Sequence, residues 1–116
     1  MPLALDLDLV LFAKWRLRIA ELDLRIFQRE CDVELRLIIL LYLNQSPLER
    51  TALLSQFKLD RITMRTRIAA LIERNLVSEV ANPADKRKKR YSLTKRGVAL
   101  LQDYKSEVTK LTLVTE

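Results

Sequence analysis

The feature that most constrains the fold is a change of hydrophobic period between residues 61 and 93. Over residues 61–74, apolar side chains recur at steps of three and four, which is the spacing of one face of an α-helix. This apolar row consists of Met64, Ile68, Leu71 and Ile72. After Asn75, a residue type that readily takes the left-handed conformation ending helices, the segments LVSEVA and RYSL alternate between apolar and polar residues, as half-buried strands do. The polar stretch between them, with Asn82 and Pro83, predicts a turn. The pattern therefore predicts a helix that leads directly into a β-hairpin.

A second short helix is expected just before this one, over residues 47–56. Ser46, followed by Pro47 and Glu49, has the arrangement of a capping box, which favours the start of a helix. Asp60 is the expected N-cap of the helix that leads into the hairpin. Two short helices joined by a turn of three or four residues are typical of a helix-turn-helix. A helix-turn-helix followed by a hairpin is a winged helix.

Two more helices are expected before the winged-helix pattern. Residues 33–43, VELRLIILLYL, are apolar on nearly all sides and predict a buried central helix. Residues 5–30 carry one apolar row at steps of three and four and a second row, Val10, Leu17 and Leu24, on another side. A helix with two apolar sides must be covered on both. In a chain of 116 residues this favours coverage of one side by a partner chain, the alternative being burial of the whole helix in its own core.

A last helix is expected over residues 95–113, with Thr94 as its cap. We expect the first and last helices to form a dimer interface. The candidate dimerisation residues are Phe12, Trp15, Ile19, Leu22, Ile26, Leu101, Tyr104, Val108 and Leu111. The predicted fold is therefore mainly α with a small β-hairpin wing, a winged helix-turn-helix with N- and C-terminal dimerisation helices. Its single domain, 1–116, divides into an N-terminal helix (5–30), a winged-helix core (33–93) and a C-terminal helix (94–116).

The positive charge of the chain is concentrated in the winged-helix region. The formal net charge is +6, yet residues 58–96 carry twelve lysines and arginines against four acidic residues, whereas residues 1–57 and 97–116 each have a net charge of −1. A charge that served only solubility would not be segregated in this way, whereas a surface that binds a polyanion would be. The sequence therefore favours a nucleic acid as partner.

The helix over residues 61–74 has the residue types of a DNA-reading helix. Arginine can bind guanine through two parallel hydrogen bonds, and threonine offers a hydroxyl and a methyl group. An ordinary solvated face would need acidic partners on the same helix, and none lies between residues 61 and 72. Which side chains contact bases stays open. The side chains expected on or beside the outward face are Thr63, Arg65, Thr66, Arg67 and Ala70.

The order and spacing of these pieces resemble the MarR family of bacterial transcription regulators. The resemblance rests on the LIERNLV junction, the PADKR wing tip with its Asp-x-Arg pair, and the SLTKRGVALL exit. It is strong over residues 60–101 and looser over residues 33–59. Asn75 stands where the family usually has glycine, a tolerable replacement because asparagine enters the left-handed region more easily than most residues.

The resemblance implies a dimer that binds double-stranded DNA, with a recognition helix over residues 61–74 in the major groove. It also implies a wing over residues 81–90 at the minor groove or the phosphate backbone, with Asp85 orienting Arg87. The remaining basic residues of the wing are expected to bind phosphates. A nuclear-localisation reading of KRKKR is the weaker alternative, because the run lies inside a hairpin. The candidate DNA-contacting residues are Arg61, Thr63, Arg65, Thr66, Arg67, Asp85, Lys86, Arg87, Lys88, Lys89 and Arg90.

Other classes of function find little support in the sequence. The chain has no histidine and one cysteine, Cys31, so no disulfide framework, metal site or cofactor is predicted and an enzyme is not expected. Acidic neighbours of Cys31 would raise its pKa, which favours an incidental thiol over a redox sensor. No membrane span or signal peptide is expected, so the expected location is the cytoplasm. A small-molecule effector cannot be deduced.

The hypothesis that follows is a dimeric transcriptional regulator, a repressor at a palindromic DNA site. Typical members of the MarR family are longer and have two C-terminal helices, so a dimer here is expected to use residues 5–30 and 95–113 alone. The main alternative is a winged-helix interaction module, acting in plasmid segregation or protein assembly, whose basic wing binds an acidic protein.

Overall fold

The computed structural model describes residues 6–27, 32–44 and 46–114. Five helices and three strands follow one another in this part of the chain. In chain order they are α1 (Leu7–Phe27), α2 (Val33–Leu43), β1 (Leu48–Glu49), α3 (Arg50–Leu54), α4 (Arg61–Glu73), β2 (Val77–Asn82), β3 (Asp85–Leu93) and α5 (Lys95–Val114). The prediction of a mainly helical chain with a small β wing is confirmed. Cys31 lies outside the described residues, as do the ends of the predicted helix over residues 5–30.

Helix α2 lies at the centre of the core. Leu37, Ile39 and Tyr42 of α2 are almost completely buried. They belong to one cluster of buried apolar side chains that also contains Leu9 of α1 and Leu101 of α5. Burial of a large apolar side chain contributes roughly 1.5–3 kcal/mol to the free energy of unfolding, so α2 holds the other helices together. The predicted buried helix over residues 33–43 is confirmed.

Helix α4 begins and ends at the residues that the sequence indicates. The Asp60 carboxylate accepts a hydrogen bond from the backbone N–H of Thr63 at 2.7 Å. Asn75 has a φ of 61°, and the N–H groups of Asn75 and Leu76 donate to the carbonyls of Ile72 and Leu71 at 2.9 and 3.0 Å. These two bonds form a Schellman motif, in which the left-handed residue satisfies the last carbonyls of the helix. Helix α4 therefore ends at Glu73, and β2 begins four residues later, at Val77.

Strands β2 and β3 form the predicted hairpin. They are antiparallel, with Val77 opposite Leu93, and Tyr91 and Leu93 are buried as the alternation predicts. At the turn, the side-chain oxygen of Asn82 accepts a hydrogen bond from the N–H of Ala84 at 2.9 Å. The Asn82 side-chain N–H donates to Glu49 Oε1 at 2.8 Å, which ties the turn to β1.

The predicted helix over residues 47–56, with Ser46 as its cap, is wrong at its start. Residues 48 and 49 form β1, which pairs with Tyr91 and Arg90 of β3 and completes a three-stranded sheet in the order β1-β3-β2. Helix α3 therefore begins only at Arg50, after Glu49. Pairing with the open edge of β3 satisfies the backbone groups that a capping box would otherwise satisfy, and this long-range contact outweighs the local signal.

Gly97, in the first turn of α5, lies against the hairpin. A Cβ atom at Gly97 would stand 2.5 Å from the carbonyl oxygen of Leu76 and 2.5 Å from Cδ1 of Leu93. Thr94 caps the helix as predicted, since its Oγ1 accepts a hydrogen bond from the N–H of Gly97 at 3.0 Å. Only a residue without a side chain lets α5 start so close to the base of the wing.

Candidate nucleic-acid interface

The outward face of α4 carries both basic and apolar side chains. Met64, Ile68 and Leu71 are buried, which leaves the opposite side of the helix in solvent. Within the part of the chain that the structure describes, neither Arg61 nor Arg65 takes part in an ion pair, and both are exposed. Two unpaired arginines at the N-terminal half of α4 are available to an anionic ligand.

The threonines of α4 have their polar groups in use. Thr63 is half-buried, and its backbone N–H is bound by Asp60. Thr66 is exposed, but its hydroxyl donates to the carbonyl of Ile62 at 3.0 Å. The hydroxyl proton of Thr66 is therefore used within the helix. What Thr66 presents outward is mainly its methyl group.

Arg67 is held against α2. Its Nη1 atom lies 2.7 Å from Oε1 of Glu34, and the two side chains are 46% and 38% exposed. Residues 61–72 contain no acidic residue, but the acidic partner of Arg67 comes from another element, α2. Arg67 is thus less available to a ligand than Arg61 and Arg65.

At the wing tip, Asp85 and Arg87 form the pair that the family resemblance implies. The Asp85 carboxylate accepts hydrogen bonds from the backbone N–H of Arg87 at 3.1 Å and from its Nε at 3.2 Å. The side-chain hydrogen bond from Arg87 is the main cause that lowers the pKa of Asp85. The Arg87 side chain is 92% exposed, so the bond orients the arginine while leaving its guanidinium in solvent. Lys86, Lys88 and Lys89 are exposed, and Arg90 is half-buried.

Tyr91 marks the place where α3, α4 and the wing meet. Burial is the main cause that raises the pKa of Tyr91, and Glu79 adds to it, whereas Arg50 and Arg65 act in the opposite direction. Arg50 of α3 and Arg65 of α4 therefore lie beside the same strand of the wing. A cleft of about 140 Å³ opens here, lined by Glu49, Arg50, Thr51, Arg87, Lys88, Lys89 and Tyr91.

Arg50 is a candidate site residue that the sequence did not indicate. It reaches the wing only because β1 pairs with β3, a contact between segments about forty residues apart. Cations from α3, α4 and the wing thus lie near Tyr91, namely Arg50, Arg65, Arg87, Lys88 and Lys89. We call these five the basic surface, together with two exposed neighbours along the same elements, Arg61 of α4 and Lys86 of the wing.

Helix α1 carries an exposed apolar row on the side away from the core. Its core side consists of Leu9, Ala13 and Ala20, all buried. The exposed large apolar residues of α1 are Leu7, Leu11, Trp15 and Leu22, which are 76%, 66%, 51% and 41% exposed. Leu7 and Leu11 were not among the predicted dimerisation residues, although their spacing to Trp15 is helical.

The other predicted dimerisation residues occupy three kinds of position. Phe12, Ile19, Tyr104 and Val108 are half-buried, and the ring of Phe12 lies 5.7 Å from that of Trp15 and 5.9 Å from that of Tyr104. Leu101 has no exposed surface. Its inclusion was wrong, because the first turns of α5 pack into the core of the same chain. The side chains of Ile26 and Leu111 lie outside the described residues.

Two other expectations concern metals and membranes. Among residues 6–27, 32–44 and 46–114, no group of three or more cysteine, aspartate and glutamate side chains is placed to hold a metal ion. None of the helices described is both long enough and apolar enough to cross a membrane.

The elements and their order define a winged helix-turn-helix, and solved structures share it. No protein-family model and no curated protein matches the sequence. MepR of S. aureus in complex with DNA is 17% identical, with a TM-score of 0.65 over 90% of this chain and 85% of MepR. The PcaV transcriptional regulator of Streptomyces coelicolor is 20% identical, with a TM-score of 0.62 over 87% of this chain and 76% of PcaV.

A third solved structure, the adhesin competence repressor AdcR of Streptococcus pyogenes, is 15% identical, with a TM-score of 0.58. The match covers 73% of this chain and 61% of AdcR, so the chain spans less than two thirds of that regulator. These neighbours are MarR-family regulators. At this level of identity the likeness shows the fold alone, and the predicted winged helix-turn-helix is confirmed.

Proposed function

We propose that this chain is a homodimeric transcriptional regulator that binds a specific site in double-stranded DNA. The observation that carries the proposal is the basic surface, where Arg65 of α4 and the wing cations Arg87, Lys88 and Lys89 lie near Tyr91. A helix-turn-helix places its second helix in the major groove, and here that helix is α4. The wing then lies beside it, at the neighbouring minor groove or the phosphate backbone.

The side chains of the basic surface divide into two roles. Arg61 and Arg65, in the first turns of α4, face base edges or the phosphates that flank them. Arg87 enters the minor groove, where a narrow groove concentrates negative potential, and Asp85 fixes its direction. An ion pair as exposed as that of Asp85 and Arg87 contributes little to stability, so its value lies in positioning. The remaining wing cations bind phosphates, as Arg50 does from α3.

Dimerisation supplies the second recognition helix. The exposed apolar row of α1 is suited to burial against a second copy of the chain, with α5 beside it. The dimer then consists of helices 5–30 and 94–116 around the winged-helix cores 33–93. Two α4 helices would enter successive major grooves about 34 Å apart, so the target is a palindrome. The fold shared with MepR, whose structure contains DNA, supports this arrangement.

A repressor is the simplest form of such a regulator, because occupation of a promoter site blocks transcription without a further domain. It acts in the compartment that holds the DNA, the cytoplasm of a bacterial cell. It needs no cofactor and no catalytic group. The alternative, a module that binds an acidic protein, needs no basic surface on both α4 and the wing, and the coincidence of the two favours DNA.

The salt dependence of binding tests the proposal. A mobility-shift titration against DNA selected from a random pool should lose about 10³- to 10⁵-fold in affinity between about 50 and 200 mM salt, the behaviour of about six to ten phosphate contacts. Lys88→Ala should reduce the slope of log affinity against log salt by about 1. Lys110→Ala, which removes an exposed lysine of α5, is the matched control and should leave the slope unchanged. A flat salt response would exclude DNA as the partner.

A further inference from the structure

Ile62 is an apolar side chain at the place where a recognition helix contacts bases. It is the second residue of α4, and it is 78% exposed, more than any other large apolar side chain in the described ranges. A single exposed isoleucine is common on protein surfaces. What distinguishes this one is its position in the first turn of α4, since the N-terminal residues of a recognition helix are those that reach base edges.

The residues that share this face of α4 make an apolar stripe. At 3.6 residues per turn, Thr66 and Ala69 lie on the same side of the helix as Ile62, and both are exposed. The Thr66 hydroxyl donates to the carbonyl of Ile62 itself. The group of Thr66 that remains for contact with a ligand is therefore its methyl group. The outermost stripe of α4 therefore consists of Ile62, the Thr66 methyl and Ala69, with Arg65 at its flank.

We propose that Ile62 contacts the C5-methyl group of a thymine in the major groove. The inference rests on the function proposed above and names a specificity-determining residue for it. Thymine is the only base that offers an apolar group on its major-groove edge. Guanine, adenine and cytosine would each leave a hydrogen-bonding group desolvated against the isoleucine, which is unfavourable. Arg65 supplies the polar contact to a neighbouring base or phosphate.

Replacement of thymine by uracil tests the contact, because uracil lacks only the methyl group and keeps every hydrogen bond of the base pair. The DNA is first selected from a random duplex pool, and each thymine of the selected palindrome is then replaced in turn. At one thymine per half-site, the replacement should weaken binding by about fourfold, and by roughly fifteenfold when both half-sites are changed, as expected for loss of one buried methyl-sized group each. Thymines outside the footprint of α4 serve as controls.

Variants of Ile62 assign the effect to this side chain. Ile62→Ala should bind the thymine and uracil sites equally, whereas Ile62→Val, which keeps a branched side chain, should retain most of the preference for thymine. Because Ile62 is exposed and alanine has the higher helix propensity, Ile62→Ala should unfold at the temperature of the parent protein or above it. Ile62→Val, whose helix propensity is close to that of isoleucine, should unfold near the temperature of the parent protein.

Three outcomes would overturn the inference, and they differ in what they leave standing. Binding that is salt-dependent and sequence-specific but insensitive to uracil at every position would remove the thymine contact and leave the proposed function intact. Sensitivity to uracil that persists in Ile62→Ala would assign the methyl contact to another residue. A chain that selects no DNA at all would overturn both the contact and the function.

Discussion

Replacement of Gly97 by alanine should destabilise the protein, although alanine is the better helix former. Propensity alone favours the alanine variant by about 1 kcal/mol. The new Cβ, however, would lie 2.5 Å from a backbone oxygen, that of Leu76, and 2.5 Å from Cδ1 of buried Leu93. The Leu76 carbonyl is held in place because it accepts a hydrogen bond from the N–H of Thr94 at 3.0 Å. Relief of the clash must therefore shift α5 away from the hairpin.

The expected size follows from these opposing terms. Overpacking of a tight site costs about 1–3 kcal/mol, and a contact this short with backbone belongs at the upper end of that range. After the gain in propensity, we expect a net loss of about 1–2 kcal/mol in the free energy of unfolding, which corresponds to a melting temperature about 4–10 °C lower. Thermal and urea unfolding followed by far-UV circular dichroism measure both quantities.

The matched control is Ala99→Gly in the same helix turn. Ala99 is exposed, so this change reports helix propensity without packing and should lower stability by about 1 kcal/mol. If Gly97→Ala raised the stability by as much as Ala99→Gly lowered it, propensity alone would explain both variants. The close approach of α5 to the hairpin would then be refuted as a constraint.

Three further predictions concern the dimer, α4 and pH. Leu11→Glu should convert the proposed dimer to a monomer in analytical ultracentrifugation and weaken DNA binding with it, because a charge cannot be buried unpaired in an apolar interface. Arg67→Ala should weaken DNA binding less than Arg65→Ala in a mobility shift, because Glu34 already holds Arg67. The hydrogen bond from Thr63 lowers the pKa of Asp60 below its usual 3.8. In the parent protein, the ionised Asp60 therefore adds stability above about pH 4, and this stability is lost as the pH falls through the native-state pKa of Asp60. Asp60→Ala should lack this pH-dependent contribution to stability.

Each of these predictions has an outcome that contradicts it. Lys14→Glu adds the same negative side chain at an exposed polar position of α1, and a dimer that survived Leu11→Glu as well as Lys14→Glu would exclude the apolar row as the interface. Equal losses from Arg67→Ala and Arg65→Ala would mean that Arg67 leaves Glu34 to contact DNA. If the parent protein and Asp60→Ala lost stability in parallel between pH 5 and pH 2, then Asp60 would have no part in the acid response.

The sequence predicts those parts of the fold whose signals are local. Asp60 and Asn75 mark both ends of α4 because capping and left-handed termination involve neighbouring residues. Strand β1 could not be predicted, since its two residues extend only by pairing with β3. The position of Arg50 in the basic surface depends on that same pairing, so it too became visible only in three dimensions.

The proposed dimerisation face shows a different limit of sequence patterns. Helix α1 is apolar on more than one side, and a helical period alone cannot say which side the core occupies. Leu9 and Ala13 are buried in the core. The exposed apolar row of α1 therefore begins with Leu7 and Leu11, whereas Phe12 is half-buried. The pairing of Arg67 with Glu34 could not be predicted for a related reason, because α2 and α4 become neighbours only in the folded chain.

Gly97, the single glycine of the sequence, belongs to a junction that sets the direction of α4. The Thr94 hydroxyl lies 2.7 Å from the carbonyl oxygen of Asn75 and 3.0 Å from that of Leu76, and it also caps α5. The end of α4, the base of the wing and the start of α5 are therefore fixed at one point. Helix α4 has 13 residues and is about 20 Å long, so a tilt of about 10° at this junction would displace its first turn by about 3–4 Å, more than the length of a hydrogen bond. If α1 and α5 form the dimer, the spacing between two recognition helices depends on this junction. Under the proposed function, Thr94 and Gly97 then affect DNA binding through the position of α4, although neither lies on the basic surface.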